Sequence, residues 1–139
     1  MLFLDFDGVL HPAGGKPGEV LPFEWLPQLA AIVGPFRDVG VVVHSSWRDS
    51  YSEEYMRDFL EPLGDAFKGV APPGHKAHAI RRYLEEHPEI GESVVLDDQA
   101  EELPSIRGVQ ILVCDPSLGV SCPRLQERLV VWLKGGSTN

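Results

Sequence analysis

The first apolar run of the chain, Leu2–Phe6, leads into two aspartates and a glycine, Asp5, Asp7 and Gly8. Aspartate is unfavourable in strands, so two aspartates at a strand end need a reason. Side chains two residues apart on a strand project to the same face, so Asp5 and Asp7 are expected to converge, with Gly8 allowing a sharp turn. Close carboxylates repel unless a cation or a shared proton relieves them. The motif therefore predicts either a cation site or a solvated turn.

Further apolar runs alternate with helical patterns along the chain. Strand-like runs recur at Leu2–Phe6, Gly40–His44, Phe67–Ala71, Ser93–Leu96 and Val109–Cys114. Helical patterns cover Phe23–Val33, Ser52–Leu63, His75–His87 and the segment from Ser121 to Leu133. Such alternation predicts an α/β fold with a parallel sheet and helices on both faces. We expect one domain over residues 1–134, a glycine- and proline-rich loop or short hairpin at residues 11–20, and a flexible tail at residues 135–139.

Length and composition limit the kind of protein this chain can be. Its 139 residues suffice for one core, and 43% apolar with 24% charged residues is ordinary for a soluble globular protein. No run reaches the roughly 18 apolar residues of a membrane helix, and the acidic first strand is unlike a signal peptide. Cys114 and Cys122 lack metal-ligand spacing, which favours reduced thiols and a cytoplasmic location.

The chain is acidic, with a net charge of −9 from 21 acidic and 12 basic residues. This balance opposes a general grip on nucleic acid, because sequence-independent binding needs a basic surface. It does not exclude a small site for one phosphate, where a bound metal and a few local cations dominate.

Polar residues follow several of the predicted strands. Ligands of open parallel sheets bind beyond the carboxyl ends of the strands. Besides the first motif, this edge is expected to carry His44, Ser45, Ser46, Trp47 and Arg48 after the second strand, Lys76 at the start of the third helix, and Asp97 with Asp98 after a later strand. These residue types suit phosphoryl transfer, which uses a carboxylate nucleophile, a proton-transferring carboxyl group, and cations around the phosphate.

The order of these motifs resembles the haloacid dehalogenase (HAD) superfamily of phosphohydrolases, over residues 1–98. The shared elements are Asp-x-Asp-Gly, an apolar strand with serine, a lysine, and an apolar strand with Asp-Asp. A phosphoacceptor receiver domain uses the same residue types, but the order here opposes it. The run from Ser45 to Arg48 beside Asp97 and Asp98 is more narrowly similar to small phosphatase domains of bacterial RNA-repair proteins. The resemblance implies a three-layer, Rossmann-like fold without a cap domain.

The resemblance also implies roles for the first three motifs. Asp5 would be the nucleophile, and Asp7 would be the general acid and base. Ser45, or Ser46 one residue later, would hold the phosphate. Lys76 would neutralise the nucleophile and the phosphate.

A Mg²⁺ site is implied at the same edge of the sheet. Its ligands would be Asp5, the backbone carbonyl of Asp7, and Asp97, with Asp98 a ligand or a support acting through water. Mg²⁺ prefers such oxygen ligands and relieves the repulsion among the acids. Taken alone, Asp97 and Asp98 would also fit a helix cap.

The remaining polar residues allow two interpretations each. Arg48 suits either a substrate phosphate or a surface acid, and Trp47 suits either substrate contact or packing. His11, His44 and His75 lack metal spacing with one another. His11 follows the first motif, where it lines the entrance or has a turn or core role.

No stretch of the sequence is long enough for a cap over the site. Only residues 11–38 separate the first two motifs, and the first helix occupies much of that stretch. An open site suits a phosphate on a large substrate, such as a polynucleotide end, a nucleotide or a phosphoprotein.

The function predicted from the sequence is a Mg²⁺-dependent phosphomonoesterase acting through an aspartyl-phosphate, on a nucleotide or a nucleic-acid end. Three alternatives stay open at this point. They are a non-catalytic phosphate-binding or regulatory domain, a phosphatase for a protein or small-metabolite phosphoester, and phosphotransfer to an acceptor other than water. The oligomeric state is not predicted.

Overall fold

The chain folds around a sheet of five parallel strands, and the computed structural model describes residues 1–13, 21–99, 101, 103 and 105–135. The strands are β1 (Leu2–Leu4), β2 (Val41–Val43), β3 (Phe67–Val70), β4 (Ser93–Asp97) and β5 (Val109–Val113). They lie in the order β3-β2-β1-β4-β5, with β1 in the centre. All five strands predicted from apolar runs are confirmed, with ends shifted by one or two residues.

The described residues form four α-helices, as the helical patterns predict, of which three connect consecutive strands and the fourth follows β5. They are α1 (Leu26–Val33), α2 (Glu53–Phe59), α3 (Lys76–Glu86) and α4 (Pro123–Leu133). All four are shorter than expected, α1 and α2 by the largest amounts. Phe23 has a left-handed φ of 58°, which is incompatible with the start of α1. Pro62 lies in the first turn of a 3-10 helix, Glu61–Ala66, which replaces the end of α2 because proline disfavours α-helical geometry before it.

The sheet separates two apolar cores, because alternate strand residues face opposite sides. Leu4 and Leu96 belong to the larger core, which also contains side chains of α1, α2 and α4. Phe3 and Val95 belong to the smaller core, where Ile80 of α3 packs against them. The predicted three-layer arrangement with helices on both faces is confirmed.

The described residues form no cap over the sheet. Between β1 and β2, α1 packs into the larger core through Leu26, Leu29 and Val33. Among the helices of the described ranges, none has the length and apolarity to cross a bilayer. Residues 14–20 of the predicted loop and 136–139 of the predicted tail lie outside the described residues, and the domain boundary at residue 134 stays a prediction.

Candidate active site

The strand register brings three polar residues together at the carboxyl edge of the sheet. Leu4 of β1 pairs with β2 on one side and with Leu96 of β4 on the other. The residues that follow, Asp5, His44 and Asp97, therefore lie side by side. Leu4 and Leu96 face the larger core, so their successors face the opposite side, where α3 begins.

The first residue of α3, Lys76, places its ammonium group between two of these carboxylates. Its Nζ lies 3.2 Å from Oδ2 of Asp5 and 3.1 Å from Oδ2 of Asp97. Burial alone would lower the pKa of Lys76, but the two carboxylates raise it, so the ammonium stays charged. The sequence prediction that a lysine at this helix start meets the first aspartate agrees with this geometry.

Negative charge is in excess around Lys76. Burial, followed by the charge of Asp97, raises the pKa of Asp5 to about 7 in spite of the lysine. Burial and Asp97 also raise the pKa of Asp98. One ammonium thus stands against three carboxylates, and a bound cation would relieve the remaining repulsion.

The three carboxylates fit a divalent metal. One oxygen from each of Asp5, Asp97 and Asp98 lies within 4.8 Å of the others. A set made only of carboxylate oxygens suits a hard ion such as Mg²⁺. The side chain of Asp7 is not part of this group, and the predicted role of its backbone carbonyl stays a prediction.

Gly8 allows Asp98 to approach the first motif. Its φ of +77° is strained for other residues, and a Cβ atom there would lie 2.3 Å from Oδ2 of Asp98. The sequence indicated Gly8 for its turn. The structure adds that any side chain would displace a candidate metal ligand.

His44 holds Asp97 in place, a role that its sequence spacing did not indicate. Its Nε2 lies 2.8 Å from Oδ2 of Asp97, with both side chains fully buried. Burial lowers the pKa of His44, so the neutral ring donates its Nε2–H. Burial alone would raise the pKa of Asp97, but the hydrogen bonds from His44 and from the amide of Gln99, together with the charge of Lys76, hold it at about 2. Asp97 is therefore an ionised, oriented carboxylate.

Asp7 lies at the mouth of the site, with its side chain 52% exposed. Because β1 ends at Leu4, strand alternation does not extend to residue 7, and the expected convergence of Asp7 with Asp5 stays a prediction. His11 Nε2 lies 2.8 Å from Asp7 Oδ1, and Trp47 Nε1 donates to Asp7 Oδ2 at 3.1 Å. The Phe23 amide donates to Nδ1 of His11, so Nε2 carries the hydrogen of the neutral ring. Both Asp7 oxygens thus accept hydrogen bonds from neighbouring side chains.

Trp47 is largely a packing residue. Its ring contacts Phe6, Phe23 and Phe59 at centroid distances of 5.4, 5.2 and 6.1 Å. Its indole N–H is already engaged by Asp7. The packing interpretation open at the sequence level is favoured, and contact between Trp47 and substrate stays a prediction.

Arg48 ties the end of β2 to the segment before α3. Its Nε donates to the carbonyl of Pro72 at 3.2 Å, and Nη1 donates to that of Ser45 at 3.0 Å. Further hydrogen bonds reach the carbonyls of His44 and Gly74. These contacts engage most of the five guanidinium donors, which gives Arg48 a role in positioning the start of α3. Its predicted substrate contact stays a prediction.

The two candidate phosphate-binding serines differ in environment. Ser45 is buried, and its Oγ accepts the amide N–H of Trp47 at 3.2 Å, which caps the 3-10 helix Ser46–Asp49. Its hydroxyl hydrogen is left for a further acceptor. Ser46 is exposed. The phosphate role of either serine stays a prediction.

Taken with the strand order, this arrangement agrees with the HAD class of phosphatase-like hydrolases, whose members typically use a metal. The family described as "HAD domain in Swiss Army Knife RNA repair proteins" matches residues 1–125, and the chain belongs to this family. No curated protein and no solved structure matches the chain significantly. The match confirms the narrower resemblance drawn from the sequence motifs and the capless α/β fold.

Proposed function

We propose that the chain is a Mg²⁺-dependent phosphomonoesterase that acts through an aspartyl-phosphate on a nucleotide or a polynucleotide end. The difference in environment between Asp5 and Asp7 carries this proposal. Asp5 is buried beside Lys76, whereas Asp7 is exposed at the mouth and held by two side-chain donors. Two carboxyl groups in such different environments suit two different roles, as nucleophile and as proton carrier.

In the first step, an oxygen of Asp5 attacks phosphorus and the bond to the leaving oxygen breaks. Asp7 gives its proton to that oxygen, which departs as an alcohol. In the second step, Asp7 takes a proton from a water molecule, which attacks the aspartyl-phosphate. The bond between phosphorus and Asp5 then breaks, which releases inorganic phosphate and restores both carboxyl groups.

The neighbouring groups stabilise the charge that develops on the phosphoryl oxygens. Lys76 and the hydroxyl of Ser45, with Ser46 as the alternative, would bind these oxygens. Asp5, Asp97 and the carbonyl of Asp7 would hold Mg²⁺, with Asp98 as a ligand or support. When bound, the metal would supply further positive charge to the phosphoryl group.

Three features support a nucleic-acid end as substrate. The matched family is described from RNA repair proteins, the described residues place no cap over the site, and Asp7 is accessible from solvent. The net charge of −9 restricts contacts to the terminal nucleotides, because few cations are available for a longer backbone. Both cysteines are unpaired, which supports the cytoplasmic location that we propose.

The test is phosphate release from nucleotides, from 5′- and 3′-phosphorylated oligonucleotides, from phosphopeptides and from sugar phosphates. We expect release with Mg²⁺, preference for the oligonucleotides, loss with chelator and inhibition by Ca²⁺, whose looser coordination misplaces the nucleophile. Full activity in excess chelator would overturn the metal requirement. A preference for sugar phosphates would overturn the assignment of a nucleotide or nucleic-acid substrate. Absence of phosphate release from every substrate would overturn the proposal that the chain is a phosphatase.

Metal binding has a separate readout in thermal unfolding. Mg²⁺ should raise the melting temperature, because a ligand that binds only the folded state stabilises it. Asp98→Asn should reduce this increase, whereas Asp38→Asn, an exposed aspartate outside the candidate site, should keep it.

A further inference from the structure

A row of three aromatic side chains leads from Asp7 to the surface. Trp47 Nε1 lies 3.1 Å from Asp7 Oδ2, the ring centroid of Tyr51 lies 5.6 Å from that of Trp47, and that of Tyr55 lies 6.1 Å from that of Tyr51. Exposure increases outward, because Trp47 is half-buried while Tyr51 is 40% and Tyr55 58% exposed. These three residues form the aromatic row.

The aromatic row is supported from below. Phe59 of α2 contacts all three rings, with centroid distances of 6.1 Å to Trp47, 5.1 Å to Tyr51 and 6.4 Å to Tyr55. Such support holds exposed rings in place before a ligand arrives, which lowers the entropy lost on binding.

The position of the leaving group follows from the proposed chemistry. The leaving oxygen must lie within hydrogen-bonding reach of Asp7 in order to take its proton. The phosphoryl group itself would lie toward Asp5 and Lys76, whose side chains are mostly buried, whereas the side chain of Asp7 is half-exposed. The group attached to the leaving oxygen therefore starts beside Asp7, where the aromatic row begins.

The charges near the aromatic row select the part of a substrate that fits. Four exposed acids lie within three residues of Tyr51 or Tyr55 along the chain, against two bases, Arg48 and Arg57, so negative charge is in excess; the acids are Asp49, Glu53, Glu54 and Asp58. A phosphodiester backbone would be repelled here. A nucleobase is uncharged and planar, and it stacks on aromatic side chains whatever its identity.

We infer that the aromatic row binds the nucleobase of the nucleotide that carries the scissile phosphate. This inference rests on the proposed function and adds the place where the base is held. It follows that hydrolysis depends on the presence of a terminal base but little on which base it is. The contribution of the base is also insensitive to salt, because stacking releases no counterions from the backbone.

The test compares kcat/KM for a short phosphorylated oligonucleotide with that for the same oligonucleotide lacking its terminal base. We expect the wild-type protein to favour the base-containing substrate by at least about 5-fold, the lower end of the cost of removing one stacking ring. Tyr51→Ala should bring this ratio close to one, and Tyr51→Phe should keep it. Val131→Ala, at an exposed apolar position of α4, is the matched control and should change neither rate.

Thermal unfolding of each variant separates loss of the ring from loss of the fold. If Tyr51→Ala unfolds, Tyr55→Ala serves in its place, because Tyr55 is the more exposed ring. Its expected effect is a smaller fall in the same ratio. The ratio for the wild-type protein should hold from low to physiological salt.

The outcomes distinguish the base site from the proposed function. A ratio near one in the wild-type protein, or an unchanged ratio in folded Tyr51→Ala, overturns the base site while the phosphatase stands. Faster hydrolysis of a phosphopeptide assigns the aromatic row to a peptide and overturns the base site. Release from no phosphomonoester overturns both.

Discussion

The two sides of the candidate site are built differently. The phosphoryl side consists of Asp5, Lys76, Asp97 and Asp98, which are charged and largely buried at the ends of central elements. The leaving-group side consists of Asp7, His11 and the aromatic row. These residues lie on the segment after β1 and on the segment from the 3-10 helix into α2, and Asp7, Tyr51 and Tyr55 are the exposed ones. Any phosphomonoester presents the same phosphoryl group, so the first side suits a general chemistry. We expect the second side to determine which substrate is used.

The largest effect is expected from Asp5 on the phosphoryl side. Asp5→Asn should abolish turnover, because an amide is a poor nucleophile, while the fold stays intact. The measurement is phosphate release under saturating Mg²⁺, with circular dichroism to check folding. Asp38→Asn, at an exposed aspartate outside the candidate site, is the matched control. Substantial activity in Asp5→Asn would contradict a covalent mechanism.

The next effect concerns Asp7 and depends on the leaving group. Asp7→Asn should slow hydrolysis of alkyl phosphates by at least about 10²-fold, the usual cost of losing general acid catalysis. Formation of the aspartyl-phosphate from p-nitrophenyl phosphate should fall less, because that leaving oxygen needs no proton. Single-turnover kinetics on both esters measure the difference. An equal fall in rate on alkyl phosphates and on p-nitrophenyl phosphate would contradict the assignment of Asp7 to the leaving-group side.

Arg48→Ala tests whether Arg48 belongs to the scaffold of both sides. The change removes the guanidinium donor of the Pro72 carbonyl, while the Ser45 carbonyl keeps the amide N–H of residue 48. A buried carbonyl left without a donor costs about 1–3 kcal/mol. We expect a lower melting temperature and a similar loss of rate on oligonucleotide and small esters. Arg82→Ala, which breaks only an exposed ion pair with Glu86, should change stability little. A loss confined to oligonucleotides would instead establish substrate contact by Arg48.

The smallest effect is expected from the donors to Asp7. Trp47→Phe keeps an aromatic ring but removes the 3.1 Å hydrogen bond, and should lower kcat on alkyl phosphates by about 10-fold, as one hydrogen bond to a charged group suggests. KM should change less. Trp132→Phe, at a half-buried position of α4, is the control. An unchanged kcat in Trp47→Phe would show that Asp7 needs no such support.

The two sides also differ in how far the sequence predicts them. The phosphoryl side can be predicted from the apolar runs and the motif spacing. Asp5 and Asp97 lie at the carboxyl ends of neighbouring parallel strands, and the register of those strands brings them together. His44 and Asp97 face the same side of the sheet, but their hydrogen bond requires the His44 side chain to extend past β1, which lies between their strands. Neither strand alternation nor motif spacing predicts that contact.

The leaving-group side depends on local geometry that sequence patterns do not encode. The alternation rule cannot fix where Asp7 points, because β1 ends at Leu4, three residues before it. The His11 ring that contacts Asp7 accepts a hydrogen bond from the amide of Phe23, a residue in the left-handed conformation. A left-handed conformation is unusual for phenylalanine, and nothing in the neighbouring residue types predicts it at this position.

The most direct test of the account is to trap the phosphorylated protein. Asp7→Asn should accumulate the aspartyl-phosphate, because the base that activates water is missing. After acid quench during turnover of p-nitrophenyl phosphate with Mg²⁺, peptide mass spectrometry should find one phosphoryl group on Asp5, and none when Asp5→Asn is added. Release of p-nitrophenol with no phosphoryl group on the protein, or with the group on another residue, would contradict the account.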